Sequence, residues 1–178
     1  RQDMRDQGAT QDWGMMASRE VQASEEVQAS GEVQASEIDA EIRALPVRNT
    51  PSVRAIRRQY SRRLKGASAP FVVQVARAPP RRHGNRGVRH ELIKQHPAAF
   101  GSIGEGKLEE LGQGIDSWGA VDGFARILAD PAWLVGQVDD DLIHRWAHAN
   151  DRWWRRAALV STVALNMRSQ GGQGDVAR

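Results

Sequence analysis

The chain has 178 residues, no cysteine, and 25 basic against 22 acidic side chains for a formal net charge of +3. The absence of cysteine excludes a disulfide framework, a thiol nucleophile and a thiolate zinc site. The sequence has no apolar run of bilayer length and no signal-peptide pattern at its start, so it reads as a soluble, cytoplasmic protein with material for one domain. It starts at Arg1, and Met15 or Met16 is a candidate natural start.

The small net charge hides a strong asymmetry. Residues 1–42 carry 3 basic and 10 acidic side chains, whereas residues 43–94 carry 14 basic and a single acidic one, Glu91. Such a block attracts polyanions through its long-range field and through counterion release. A solvated basic surface is the plain alternative, but with so few local acids to pair these side chains, nucleic acid is the favoured partner.

The first 37 residues form an acidic leader in which "EVQASE", "EVQASG" and "EVQASE" run from Glu20 to Glu37. A six-residue period matches no helical stripe well and offers one valine per repeat to bury, so the leader is expected to be disordered or at most transiently helical. Order is expected from Ile38, where "IDAEIRAL" is a short amphipathic helix stopped by Pro46. In "NTPSVRAIRRQYSRRLKG", Thr50 is the candidate N-cap, Pro51 suits the first turn and Gly66 the end. Val53, Ile56, Tyr60 and Leu64 share one face of that helix, and Arg54, Arg58, Arg62 and Lys65 roughly the opposite one.

"PFVVQVARA" is rich in β-branched residues, yet no partner strand is visible anywhere, so a helix is the better reading. "PPRRHGNRG", with Arg81, Arg82 and Arg86, is a basic loop. "VRHELIKQH" is a helix ended by Pro97, and "GKLEELGQG" a short helix ended by glycine. "DSWGAVDGFARILAD" starts at an Asp/Ser cap and stops before Pro131. "DDDLIHRWAHAN" has three acids in its first turn, which suits the positive end of the helix dipole. A last long helix runs from Asp151 to about Arg168. About eight helices with short loops and no strand predict an all-α fold, an α-solenoid of HEAT-like helix pairs over 38–178, with a compact bundle as the alternative.

Two stretches could carry chemistry. In "GIDSWGAVDGF", Trp118 and Asp122 are four apart and share one helix face. An indole face beside a carboxylate suits a cationic reaction centre: the ring supplies π density, and the carboxylate stabilises an oxocarbenium-like transition state or orients a water. The alternative is Trp118 as core and Asp122 as surface or as an arginine's partner. Gly119 and Gly123 would leave room for a ligand. In "NDRWWRRAALVS", Ala157, Val160, Ala164 and Met167 continue an apolar stripe, with one tryptophan as core. Arg156 sits at the edge of that stripe near Trp153, where a guanidinium is suited to bidentate phosphate binding. Stacking on tryptophan or pairing with an acid such as Asp122 is equally open. Arg152 and Arg155 stay undecided between DNA contacts and solvated surface. His144 and His148 resemble half of a zinc-protease helix, but Arg145 follows His144 where that chemistry needs a glutamate, so no metal or other cofactor is expected.

"RNTPSVRAIRRQYSRRL", "HELIKQHPAAF", "LGQGIDSWGAVDGFARIL" and "DRWWRRAALVSTVAL", in this order and at these spacings, resemble the AlkD-type DNA alkylation-repair glycosylases, which are built from HEAT-like repeats. The resemblance covers about residues 38–175. It implies a monomeric hydrolase, needing no cofactor, that excises cationic N-alkylated purines such as 3-methyladenine and 7-methylguanine from double-stranded DNA. It further implies that Trp118 and Asp122 lie against the damaged nucleotide, that Asp122 stabilises the sugar cation and positions water, and that Arg156 holds the backbone. Arg54, Arg58, Arg62, Arg81, Arg82, Arg86, Arg152 and Arg155 are the candidate DNA contacts. The chain departs from the family at His90, where an aromatic residue is usual. It also ends before a later helix that carries a further tryptophan, so the repeat domain is expected to be incomplete at its C-terminal end. A non-catalytic nucleic-acid-binding module and, more remotely, a protein–protein scaffold are the alternatives.

Overall fold

The computed structural model describes residues 3–78 and 85–174, and among these every regular element is helical. A single helix, α1, runs Asp3–Arg43 and absorbs the short helix expected from Ile38. Gly31, Ala35, Ile38, Asp39 and Ile42 are buried, so packed structure begins before Ile38. Their spacing of four, three, one and three residues draws one stripe along the helix. From Ser18 to Ser30 the side chains are exposed except the half-buried Val27, so the first repeats are a solvated helix.

The EVQAS pattern explains where that packing starts. Gly31 takes the place that Glu25 and Glu37 hold in the flanking repeats. A Cβ on Gly31 would stand 2.9 Å from Gln74 Cβ and 3.1 Å from the Gln74 backbone carbon. The one departure from the repeat therefore sits where α1 crosses α3 (Ala69–Arg77) most closely.

Helix α2 (Thr50–Arg63) is capped by Asn49 rather than Thr50. The Asn49 side chain accepts the Ser52 N–H at 2.9 Å, and the Ser52 hydroxyl accepts the Asn49 N–H at 3.2 Å. Asparagine is among the strongest N-cap residues, and this reciprocal box leaves Thr50 as the first helical residue. Ile56, Tyr60 and Leu64 are buried and Val53 half-buried, as their spacing predicts, while Arg54, Arg58, Arg62 and Lys65 are exposed. The Tyr60 hydroxyl donates to Glu41 of α1 at 2.6 Å. Burial first, and that bond second, push its pKa up to about 12.

"PFVVQVARA" forms α3, a helix as expected, with Val72, Val73, Val75 and Ala76 buried. Helix α4 (Arg86–Gln95) packs on α2 and α3 and reaches forward to α7. Arg89 is wholly buried and donates to the carbonyls of Ala78 at 2.6 Å and Val75 at 3.4 Å, closing the C-terminal end of α3. Burial lowers its pKa, and the buried Asp39 of α1 opposes that. A buried arginine over a helix C-terminus balances both the dipole and a buried carboxylate.

Two short helices follow, α5 (Pro97–Gly101) and α6 (Glu105–Gly112), and then α7 (Trp118–Phe124). The helix that starts at Trp118 does not stop before Pro131. It widens into a π-turn over Ala125–Ala129 and continues as α8 (Asp130–Leu134). Proline removes an N–H and crowds the carbonyl four residues back, and a wider turn accommodates both without ending the helix. The last helix is also divided. After α9 (Asp140–Ala147), α10 (Arg152–Ser161) breaks at Thr162 and resumes as α11 (Val163–Asn166). Helices α7 and α8 lie against α10 and α11, and α9 against α10, which is an all-α helical-repeat arrangement.

The Gly31 crossing yields a direct expectation. Gly31→Glu, which restores the repeat, forces a side chain against the Gln74 backbone and should cost about 1–3 kcal/mol, the range for overpacking. Glu25→Gly, at the exposed equivalent position, should cost no more than about 1 kcal/mol, the helix-propensity difference. Urea unfolding of the two variants measures the contrast.

Candidate active site

The structure brings together the three side chains that the sequence singled out as catalytic. Ser117 enters α7 in extended conformation, and Trp118 and Asp122 follow one turn apart. On α10 the Asp151 side chain accepts the Trp153 N–H at 2.8 Å and starts the helix, which places Arg156 on its second turn. Arg156 Nε donates to Asp122 Oδ1 at 2.8 Å and Nη2 to Oδ2 at 2.9 Å, a bidentate pair. The same guanidinium lies over the Trp118 ring, with Cζ 3.8 Å from the ring centroid. Both alternatives left open for Arg156, stacking on tryptophan and pairing with Asp122, are thus realised at once, although the ring is Trp118 and not the neighbouring Trp153.

The cluster faces water. Trp118 is 66 % exposed, and the side chains of Asp122 and Arg156 are 41 % and 30 % exposed. An indole this exposed is not core. The hydrogen bond with Asp122 raises the Arg156 pKa further, so the guanidinium stays charged. A Cβ added at Gly119 or Gly123 would meet nothing within 4 Å, so the surface on either side of Asp122 is open.

Beneath it lies an aromatic cluster. Phe124 packs edge-on to Trp154 and against Trp146, each with centroids 5.9 Å apart, and Trp146 and Trp154 are 4.7 Å apart. Gly112 makes this possible: a Cβ there would fall 2.4 Å from the Trp154 ring. Trp153 and Trp154 are both half-buried against the core; Trp154 joins this aromatic cluster, and Trp153 carries the Arg152 guanidinium 4.6 Å above its ring. His90, the departure from the family pattern, is fully buried edge-on to Phe124 at 5.9 Å. Burial pushes its pKa down to about 3, so it is neutral and fills the aromatic position without charge.

The remaining basic candidates divide. Arg54, Arg58 and Arg62 are exposed along α2 and form no salt bridge among the described residues. Arg155 donates to the carbonyls of Ala149 and Asn150, both at 2.7 Å, which ties it to the loop that precedes its own helix. Arg86 is half-buried and donates to the Gln113 carbonyl at 2.6 Å, bracing the turn between α6 and α7. Arg81 and Arg82 lie outside the described residues. Among the described residues no group of His, Cys, Asp or Glu side chains is placed to hold a metal ion, and no helix is long and apolar enough to cross a membrane.

Sequence reading missed Asp130. Its side chain is wholly buried, and it accepts the Ala164 N–H at 2.9 Å and pairs with Arg126 one turn earlier. The Asp-Pro dipeptide read as the end of a helix, which hid a carboxylate inside a continuing one. Burial pushes its pKa up to about 6 against the opposing pull of Arg126, the Ala164 N–H and Lys94.

Residues 92–173 match the family model described as DNA alkylation repair enzyme. The matched stretch contains Trp118, Asp122, Asp130 and Arg156. No curated protein and no solved structure matches the chain.

The raised Asp130 pKa fixes the sign of a pH effect. Because the folded-state value lies above that of an unfolded carboxyl, the contribution of this group to stability is complete below about pH 4. It declines as pH rises through about 6. Asp130→Asn removes the titration, so its stability relative to wild type should rise by roughly 2 kcal/mol between pH 4 and pH 7, since a tenfold difference in proton affinity corresponds to about 1.4 kcal/mol. Urea midpoints of both proteins across that range measure it, and a constant difference would contradict it.

Proposed function

We propose that the chain is a DNA glycosylase that hydrolyses the N-glycosidic bond of cationic N-alkylated purines, of the 3-methyladenine and 7-methylguanine type, in duplex DNA. One observation carries the reading. An exposed indole face and a carboxylate already hold a planar, delocalised cation between them, the guanidinium of Arg156. The site is thus electrostatically complementary to the positive charge that such a reaction builds. An alkylated purine is a cationic leaving group, and as the glycosidic bond lengthens the charge moves to the sugar. A fixed carboxylate stabilises that developing cation and can orient the attacking water, and the indole face adds π density beside it. Little acid catalysis is needed, because the departing base is neutral once released.

Arg156 has two roles in this scheme. Its bidentate pair orients Asp122, and Nη1 is not part of that pair and remains for a backbone phosphate. Arg54, Arg58 and Arg62 supply further backbone contacts that bind without reading sequence. The match of residues 92–173 to the DNA alkylation repair enzyme family model supports the substrate class.

Asp122→Asn keeps the size and most of the hydrogen bonding of Asp122 but removes its charge. It should lower 7-methylguanine release from methylated duplex DNA by about 100-fold or more, the scale on which a preorganised electrostatic group acts. Equal release by the two proteins removes Asp122 from the mechanism. Binding without release by wild type would point to a non-catalytic DNA-binding module.

The basic stripe is tested separately. Replacing Arg54, Arg58 and Arg62 together by alanine should weaken binding to any duplex and reduce the slope of log affinity against log salt by about 3, near one for each phosphate no longer neutralised. An unchanged slope would place the DNA elsewhere on the surface.

A further inference from the structure

The helix that carries Asp122 and the helix that carries Arg156 are tied at two places. Arg156 bonds Asp122, and the Ala164 N–H bonds Asp130. Both ties join residues 34 apart in sequence. Each rod therefore advances eight residues between them, from Asp122 to Asp130 on one and from Arg156 to Ala164 on the other. Equal advance in the same chain direction means that the rods run side by side and parallel, pinned at two points eight residues apart on each.

The two ties differ in strength. The first is only part-buried and competes with water and salt, which leaves an ion pair worth little on its own. The second is wholly buried. It also occurs where α10 breaks. In an unbroken helix the Ala164 N–H would bond the Val160 carbonyl, and here it bonds Asp130 of the neighbouring rod. The groups facing Asp130 are Arg126 on its own rod, Lys94 on α4 and the Ala164 N–H on α11. A carboxylate costs stability when buried, and hydrophobic packing alone would hold two helices together. What a directed hydrogen bond adds is register, because it permits one axial and rotational alignment.

We propose that Asp130 is a positioning residue for the Trp118–Asp122–Arg156 site. By accepting the Ala164 N–H it locks the register in which Arg156 meets Asp122 and stacks on Trp118. A register error of one residue would carry Arg156 about 1.5 Å along and 100° around its helix, out of reach of both partners. Asp130 touches no substrate. The consequence for base release rests on the glycosylase reading, whereas the consequence for Arg156 geometry does not.

The test uses the side-chain Nε–H of Arg156, which is held by Asp122 and is observable by NMR, with the whole chain. In wild type, that Nε–H and the Ala164 backbone amide should both be protected from exchange with water. An Asp130→Ala chain that remains folded should exchange the Arg156 Nε–H at least tenfold faster. Asp130→Asn should keep the protection, because its amide oxygen still accepts from Ala164. Val75→Ala, a remote core truncation, should lower the melting temperature without affecting Arg156, which separates register from general stability.

On methylated duplex DNA, Asp130→Ala should reduce kcat by tenfold or more with KM within twofold. If wild type releases no base, the glycosylase reading falls, and the exchange measurement still decides the role of Asp130. Undiminished Arg156 protection in folded Asp130→Ala overturns the proposal. So does an unprotected Ala164 amide in wild type, which requires no variant to fold.

Discussion

A guanidinium held edge-on by a carboxylate and face-on by an indole joins the two helices around which the second half of this molecule is built. The pairing of Arg156 with Asp122, over Trp118, is possible only because α7 and α10 lie parallel at contact distance. That contact in turn depends on what lies below it. Phe124 of α7 meets Trp154 of α10 edge-on and Trp146 of α9 beside it, and Gly112 of α6 withdraws to admit the Trp154 ring. Apolar packing sets the distance between the rods, and the directed polar ties set their register. Neither suffices alone, since packing tolerates sliding and a part-buried ion pair contributes little by itself.

The irregularities along these helices follow from the same constraint. The π-turn at Ala125–Ala129 carries the chain through Pro131 without ending the helix, so that Asp130 remains on the rod that bears Asp122. The break at Thr162 frees a backbone N–H within reach of that buried carboxylate. A straight helix at either position would leave the other with an unmatched polar group, which is costly in a buried setting. The two departures from regular geometry are therefore complementary.

Charge is distributed between structure and surface. Arg57 pairs with Glu91, Arg77 with Glu110, Arg89 closes α3 beside Asp39, and Arg86 and Arg155 hold loop carbonyls. The basic block is thus less available than its composition suggests. Among the described residues, the row on α2 stays in the open, as do Arg43 and Lys65, while Arg156 is part-buried and paired at the site.

The sequence by itself determined the helical class and the buried face of α2. It also determined the helical identity of "PFVVQVARA" and the pairing of Trp118 with Asp122 on one turn. These follow from periodicity, caps and the absence of any partner strand, which are local properties of the chain. It also marked Arg156 as a residue with a partner to find, without saying which. Only the tertiary structure decided that the partner is Asp122, that the stacked ring is Trp118 rather than Trp153, and that Trp154 is the one of its pair that joins Phe124 and Trp146. It alone showed that Arg86 and Arg155 hold backbone carbonyls. Gly31 looked like noise in a polar repeat until α3 was seen against it, and Asp130 looked like a helix end until Ala164 was seen beyond it. The reason is common to these cases. A side chain's spacing along its own helix is written in neighbouring residues, but the group it meets comes from another part of the chain, and the meeting depends on how the helices pack.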